Sequence, residues 1–157
     1  YRGLCDAAPH AVAEFGPERL QADLATLKEL AAAPFAVQLQ GVGSFTTVPY
    51  LSVTQGADVL TRLHDALQPW PPMEGWHYQP HVTLGHYARE LPLLWAVDQL
   101  QAVGIGSPQL SIDVQQLALV RYASHDIAGP LVVEGVWDLQ LQQYQPQPGA
   151  LWAQQRT

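Results

Sequence analysis

Segments with the apolar spacing of a helix alternate along this chain with segments that have the spacing of a strand. Leucines at positions 20, 24, 27 and 30 follow Pro17 at helical spacing and predict a helix over about residues 17–33. Apolar and polar residues then alternate from Phe35 to Val42, which is typical of a half-buried strand, and Gly41 and Gly43 are expected either to loosen it or to form a bulge near its end. A chain that switches between these spacings favours an α+β fold.

The remaining elements extend this order to about residue 139. We predict helices at about 57–68 and around an inner face of Leu93, Leu94, Val97 and Leu100, and strands at 48–54, 81–87, 110–121 and 131–139. The last two strands are expected to form a hairpin. Because the order nearly repeats itself, we predict one domain over residues 1–141, made of two similar lobes of antiparallel sheet. A weakly ordered tail rich in Gln and Pro is expected over residues 142–157.

Composition limits the class of protein. The 157 residues suit one domain, and 48% hydrophobic with 13% charged residues is too apolar for disorder, while no apolar run is long enough to cross a bilayer. The single cysteine, Cys5, excludes an intrachain disulfide, and no export signal is visible at the N-terminus. We therefore expect a cytoplasmic protein with no membrane partner.

Charge limits the partners of the chain. Seven Lys and Arg against fourteen Asp and Glu give a formal net charge of −7, which repels a polyphosphate backbone. Extended nucleic acid is therefore not an expected partner. A nucleotide or the terminal phosphate of an RNA is compatible with this charge, because local donors can hold one or two phosphates.

The stretch from Pro80 to Gly85 is the most informative for chemistry. His81 and Thr83 are two apart on a predicted strand, so their side chains are expected on the same face, with Gly85 leaving room beside them. An imidazole exchanges a proton near neutral pH, and a Thr hydroxyl donates to a phosphate oxygen. A lone H-x-T motif also arises by chance, and a single His on a strand is more often a surface or core residue. The motif alone therefore does not identify a catalytic site, and the residues around it must be compared as well.

That context is a resemblance to a known family. Besides the motif, it rests on residues 34–45, 50–53, 60–67 and 117–120. In this order the stretches resemble the two-histidine phosphoesterases, the family of 2′-5′ RNA ligases and RNA 2′,3′-cyclic phosphodiesterases, from about Pro17 to Leu139. The resemblance implies two pseudo-symmetric lobes with outer helices around a central cleft, each lobe contributing one H-x-T/S motif.

The resemblance also implies a mechanism without a metal or other cofactor. One His of the family activates water or a hydroxyl, the other protonates the leaving oxygen, and the two hydroxyls hold the phosphate oxygens. His81 and Thr83 are therefore the predicted catalytic residues. The expected substrate is a nucleotide or RNA terminus with a 2′,3′-cyclic phosphate, which is opened to a 2′-phosphate, or a 2′-5′ RNA linkage that is made or broken.

This sequence departs from the family pattern at the first H-x-T/S motif. That motif should lie shortly before the helix that begins at Pro17, where His10 is the available histidine, and Val12 stands in place of Thr or Ser. A valine cannot donate to phosphate. Either the motif is lost, or it lies in residues outside this sequence. A lost motif favours a rival function, in which the chain binds a nucleotide or RNA terminus without turnover, and a plain interaction domain is a third hypothesis.

The other histidines are weaker candidates. We predict a packing or surface role for His64, a loop position near the cleft for His77, the strand face opposite His81 for His86, and a solvated loop for His125.

A zinc site, an arginine and two tryptophans are further candidates for the site. The spacing of His77 and His81 suits zinc on a helix, which the proline between them opposes. Arg121 is predicted either to reach a phosphate or to lie exposed at a strand edge. Trp70 or Trp76, in the loop before the motif, would stack on a base.

Overall fold

The computed structural model describes residue 5, residues 14–68, residue 75 and residues 77–105, 109–126 and 129–152. The helices within these ranges are α1 (Pro17–Leu30), α2 (Ala57–Leu67) and α3 (Leu93–Ala102), and the strands are β1 (Phe35–Ser44), β2 (Pro49–Gln55), β3 (His81–Thr83), β4 (Leu110–Val114), β5 (Gln116–Arg121), β6 (Val132–Asp138) and β7 (Gln143–Pro146). The strands form two antiparallel sheets, which confirms the α+β class. No helix in the described part of the chain is long and apolar enough to span a membrane.

Two compact units divide these elements. We call them the His81 lobe, which contains β1 to β4, α3 and most of α2, and the Trp137 lobe, which contains α1 and β5 to β7. In the His81 lobe the strand order is β3-β2-β1-β4. Its core consists of Val37, Leu39 and Leu51, against which Leu60 of α2 packs. The alternation that predicted β1 therefore marks the face of the sheet that α2 covers.

The Trp137 lobe has the strand order β5-β6-β7. Leu20 and Leu27, seven residues apart on α1, are buried, as are Trp137 near the end of β6 and Leu139 just after it. This lobe contains a mainly apolar cavity of about 150 Å³, which is lined by leucines of α1 and β5 and by Trp137 and Tyr144. Helix α1 therefore lies over one face of this sheet.

Helix α1 ends three residues before the predicted boundary. Ala31 has φ 45 and ψ 39, the left-handed conformation that commonly follows a helix, and its backbone N–H donates to the Leu27 carbonyl. The bulge predicted in β1 is confirmed at Gly41. Leu39 pairs with Val53 and Val42 with Leu51, so two residues of β1 oppose one of β2, and Gly41 supplies the positive φ of +80.

The prediction of one continuous strand over residues 110–121 is wrong. Strand β4 pairs with β1 in the His81 lobe, whereas β5 pairs with β6 in the Trp137 lobe, and Gln115 separates them. The predicted hairpin is confirmed for β5 and β6. Both halves have strand-like composition, and the change of sheet depends on which distant strand each half meets, so local spacing does not reveal it.

The prediction of a weakly ordered tail from Gln142 is wrong for residues 143–152. Strand β7 pairs with β6, and Tyr144 lies opposite Trp137. The Tyr144 ring also lies so close to Gly135 that a Cβ there would be 2.3 Å from Cζ. The Trp152 ring packs against Phe15 with centroids 5.9 Å apart. Apolar contacts of its few aromatic residues thus order a segment whose Gln and Pro content suggested a tail.

The inner face predicted for α3 is also partly wrong. Ala96 is the buried residue of this helix, Leu93 is exposed, and Leu94 is 79% exposed. Val97 and Leu100 are half-buried, as their spacing predicted. The helix begins at Leu93 after Pro92, so Leu93 and Leu94 lie in its first turn, ahead of the buried Ala96.

One buried carboxylate provides a test of stability in the Trp137 lobe. Glu134 is 3% exposed, and its side chain accepts from Arg121 Nε and from the Leu151 backbone N–H at 2.6 Å. Replacing Arg121 by alanine leaves a buried charge with a donor missing, so we expect the free energy of unfolding to fall by roughly 2–3 kcal/mol. Arg62→Ala, at an exposed arginine of α2, is the control and should change it by less than about 0.5 kcal/mol. Urea unfolding measures both, and equal losses would show that the Arg121 pair does not stabilise the lobe.

Candidate functional site

Strand β3 carries the two residues that the motif predicted, at the edge of the sheet of the His81 lobe. His81 pairs with Ser52, Val82 with Leu51 and Thr83 with Tyr50. Because paired residues share a face, the core residue Leu51 fixes the orientation: Val82 points to the core side, and His81 and Thr83 point to the opposite face. The structure therefore brings the imidazole and the hydroxyl to one face, as predicted.

His81 is held in a defined orientation by its own chain. Its Nδ1 lies 2.7 Å from the backbone carbonyl oxygen of Gln79. A carbonyl oxygen only accepts, so Nδ1 is the donor and carries a hydrogen. In the neutral imidazole, Nε2 then has the free lone pair. Nε2 is thus the atom of His81 that can take a proton from a substrate or, once protonated, return it.

Two aromatic rings pack beside this imidazole. The Phe45 ring meets His81 edge-on with centroids 5.1 Å apart, and the Tyr50 ring is 5.2 Å away at a tilt of 56°. Phe45 and Tyr50 also contact each other at 4.6 Å. Phe45 and Thr83 are exposed, and His81 is half-buried. The rings restrict the movement of the imidazole while solvent still reaches the motif.

The predicted strand over residues 81–87 is shorter in the structure and ends at Thr83. Two further backbone bonds still tie the chain to its neighbour, from Leu84 N to the carbonyl of Pro49 at the start of β2 and from Tyr87 N to the carbonyl of Thr47 in the preceding loop, both 2.9 Å. A Cβ built at Gly85 meets nothing within 4 Å. The space expected beside the motif is therefore present.

This arrangement suits proton transfer next to an anion. Thr83 offers an O–H donor and His81 offers Nε2 on the same face, and on the neighbouring strand Ser52 adds a half-buried hydroxyl opposite His81. Among the residues that the structure describes, no group of three or more His, Cys, Asp and Glu side chains is placed to hold a metal ion. The chemistry that these side chains offer is acid and base catalysis with hydroxyl donors.

Of the other histidines, the structure describes His64, His77, His86 and His125. His64 stacks on Tyr78 with centroids 3.9 Å apart, and its Nδ1 is 2.9 Å from Asp65, so its predicted packing role is confirmed. His77 lies in the exposed segment before β3, and His125 lies in an exposed turn, as predicted. An approach of His77 to the cleft stays a prediction. His86 is not on a strand, so its predicted position on the opposite face of β3 is wrong.

Two groups of predicted site residues remain. Arg121 lies at the end of the edge strand β5, as one of its two predicted roles requires, and its Nε binds the buried Glu134. A phosphate contact of Arg121 stays a prediction. His10, Val12, Trp70 and Trp76 lie outside the described residues. The predictions made for these four residues stay predictions.

Three residues of the site had no role predicted from the sequence: Phe45, Tyr50 and Gln79. Phe45 and Tyr50 belong to the stretches that carry the family resemblance. Their position in these stretches indicates that they matter to the family but does not indicate what they do. Gln79 has a signal only in its position two residues before His81. Its contacts depend on the register of β2 and β3, which no local pattern reveals.

Comparison with known proteins identifies a family. A family model described as the 2′-5′ RNA ligase superfamily matches residues 10–126, which is 117 of the 157 residues. The match begins at His10 and includes the whole of β3. No curated protein and no solved structure matches the chain.

Proposed function

Because this chain belongs to the 2′-5′ RNA ligase superfamily, we propose that it is a phosphoesterase that opens a 2′,3′-cyclic phosphate on a nucleotide or RNA end to a 2′-phosphate. One observation carries the proposal. His81 donates from Nδ1 to the Gln79 carbonyl, which leaves Nε2 for proton transfer, and Thr83 lies on the same face of β3. The related activity on 2′-5′ RNA linkages needs the same groups.

The proposed reaction is an attack of water on the cyclic phosphate. The water oxygen bonds to phosphorus and loses a proton, while the bond between phosphorus and O3′ breaks and O3′ gains a proton. Neutral His81 would accept the first proton at Nε2 while solvent supplies the second, or protonated His81 would supply the second while solvent accepts the first. The Thr83 hydroxyl would donate to a non-bridging oxygen, whose negative charge grows in the transition state.

The charge of the chain supports short substrates. The formal net charge of −7 repels a long RNA backbone, whereas a terminal cyclic phosphate carries a single negative charge. We therefore propose hydrolysis at nucleotides and RNA ends as the activity, in preference to the joining of long RNAs.

Hydrolysis of a 2′,3′-cyclic nucleotide in the presence of EDTA tests this proposal. The native protein is expected to convert 2′,3′-cyclic AMP to the 2′-phosphate, with 3′,5′-cyclic AMP unchanged under the same conditions. Phosphorus NMR distinguishes the 2′- and 3′-phosphates. Release of the 3′-phosphate would contradict the proposed bond cleavage, and an absence of turnover on the nucleotide and on a short RNA with a cyclic end would contradict the activity.

Val12 favours a second candidate function, which is binding without turnover. It stands two residues after His10, where the family has Thr or Ser, and it lies within the matched residues. This candidate predicts that 2′-phosphorylated nucleotides raise the Tm of the native protein although no cyclic substrate is consumed. Val12→Thr then restores a hydroxyl and is expected to produce measurable hydrolysis. A native protein that already turns over the cyclic nucleotide would exclude this candidate.

A further inference from the structure

Tyr50 and Gln79 are linked to His81 by a continuous set of contacts. The Gln79 backbone carbonyl accepts from His81 Nδ1 at 2.7 Å, and the Gln79 side-chain Nε2 donates to the Tyr50 hydroxyl at 2.9 Å. The Tyr50 ring closes the set by packing on the imidazole at 5.2 Å. Tyr50 therefore touches His81 directly and also holds the residue whose carbonyl orients it.

We propose that Tyr50 and Gln79 are positioning residues that hold His81 in the tautomer with hydrogen on Nδ1 and the lone pair on Nε2. The inference extends the function proposed above, because it states how that site keeps its proton-transfer atom available. Neither residue needs to touch the substrate. Tyr50 is 7% exposed, and the side-chain amide of Gln79, an exposed residue, donates to its hydroxyl.

The bond from the Gln79 side chain to Tyr50 is needed because Gln79 lies in a segment without helix or strand, just before β3. A backbone carbonyl in such a segment can turn to water, and the imidazole would then lose the partner that selects its tautomer. The bond from the Gln79 side chain to Tyr50 restricts this rotation. Tyr50 is itself fixed, since it pairs with Thr83 in the sheet and with Gly43 on the other side.

Gly43 leaves space for the ring of Tyr50. A Cβ built at this position would be 2.3 Å from Cζ and 2.4 Å from the hydroxyl of Tyr50, which is closer than any real side chain allows. The requirement at Gly43 is therefore space for the phenol ring, unlike the positive φ that Gly41 supplies. The two glycines of the G-x-G stretch thus have different roles, and one of them serves the position of Tyr50 beside His81.

Tyr50→Phe is the direct test, because it keeps the ring and removes only the hydroxyl. In protein labelled with ¹⁵N histidine, at about pH 8.5, where an ordinary imidazole is neutral, the ring nitrogen shifts report the tautomer of His81. The native protein is expected to show hydrogen on Nδ1, and Tyr50→Phe a mixture with a larger share on Nε2. The value of kcat is expected to fall by roughly 2- to 10-fold with KM nearly unchanged.

Two further variants make the test decisive. Gln79→Met removes the donor at an exposed residue, so folding is not at risk, and it should shift the tautomer in the same direction. Tyr87→Phe is the matched control. The Tyr87 hydroxyl is 3.0 Å from Ser44 Oγ in the same lobe, and this hydrogen bond does not involve His81. It should leave the His81 signals as in the native protein.

The outcomes separate the two proposals. If Tyr50→Phe and Gln79→Met both leave the His81 tautomer as in Tyr87→Phe, the positioning role is overturned. If the tautomer shifts in both variants while the native protein hydrolyses no phosphate ester, the positioning role stands and the proposed phosphoesterase function fails. The nitrogen shifts do not depend on turnover, so the first conclusion needs no substrate.

Discussion

Replacing His81 by alanine is expected to lower kcat/KM for a 2′,3′-cyclic nucleotide by about 10²–10⁴-fold, because the proton-transfer group at Nε2 is removed. His81 is half-buried, and its fixed contacts are the Gln79 carbonyl and the rings of Phe45 and Tyr50. The core residues of the lobe do not depend on it. The measurement is initial-rate kinetics with EDTA, beside a thermal unfolding curve for each protein.

His125→Ala is the matched control for this loss. His125 lies in an exposed turn beyond β5 in the Trp137 lobe, so the same change of side chain there should leave kcat/KM and Tm near the native values. If His81→Ala retains native activity while its Tm is unchanged, His81 is not the proton-transfer group. The result would also remove the main support for a phosphoesterase mechanism at β3.

Thr83 is expected to give the second large effect. Thr83→Val keeps the shape of the side chain and removes its O–H, so kcat should fall by about 10²–10³-fold, as for the loss of one donor to a developing anion. Thr83→Ser retains a hydroxyl and should stay close to the native rate. Because Thr83 is exposed on an edge strand, neither change is expected to lower Tm substantially.

The comparison of the two Thr83 variants isolates the hydroxyl. Thr54→Val on the neighbouring strand is the control, since the Thr54 hydroxyl donates to the Gln38 carbonyl within the sheet. Kinetics of Thr54→Val should match the native protein. Equal activity of Thr83→Val and Thr83→Ser would show that the hydroxyl does not bind the phosphate and would leave His81 as the only catalytic group of this motif.

The parts of the fold that the sequence predicted are those that depend on local spacing. Helix α1 repeats leucines at helical intervals, and β1 alternates polar and apolar residues, so the boundaries of both fall within three residues of the expected ones. The shared face of His81 and Thr83 follows from the same two-residue period. Each of these features has its cause within about a dozen residues of chain.

The features that the sequence did not predict have distant causes. Strand β4 pairs with β1, far away in the chain, and β7 is ordered by its pairing with β6 and by Tyr144 over Gly135. The contacts of Tyr50 with Gln79 and His81 depend likewise on the register between β2 and β3. Spacing along one strand contains no information on these partners, and Gln and Pro content gave the opposite expectation for β7.

The assignment of the strands to lobes has a consequence for the order of folding. Every strand of the His81 lobe sheet lies between Phe35 and Val114, so this sheet can form before the rest of the chain is synthesised. The Trp137 lobe joins α1 to strands that begin only at Gln116, and Gln142 reaches back to the Ala32 carbonyl. Closing so long a loop costs entropy before any contact offsets it. During synthesis the apolar side of α1 therefore lacks its sheet until β5 to β7 are made, and in that interval it is exposed to chaperones and to aggregation.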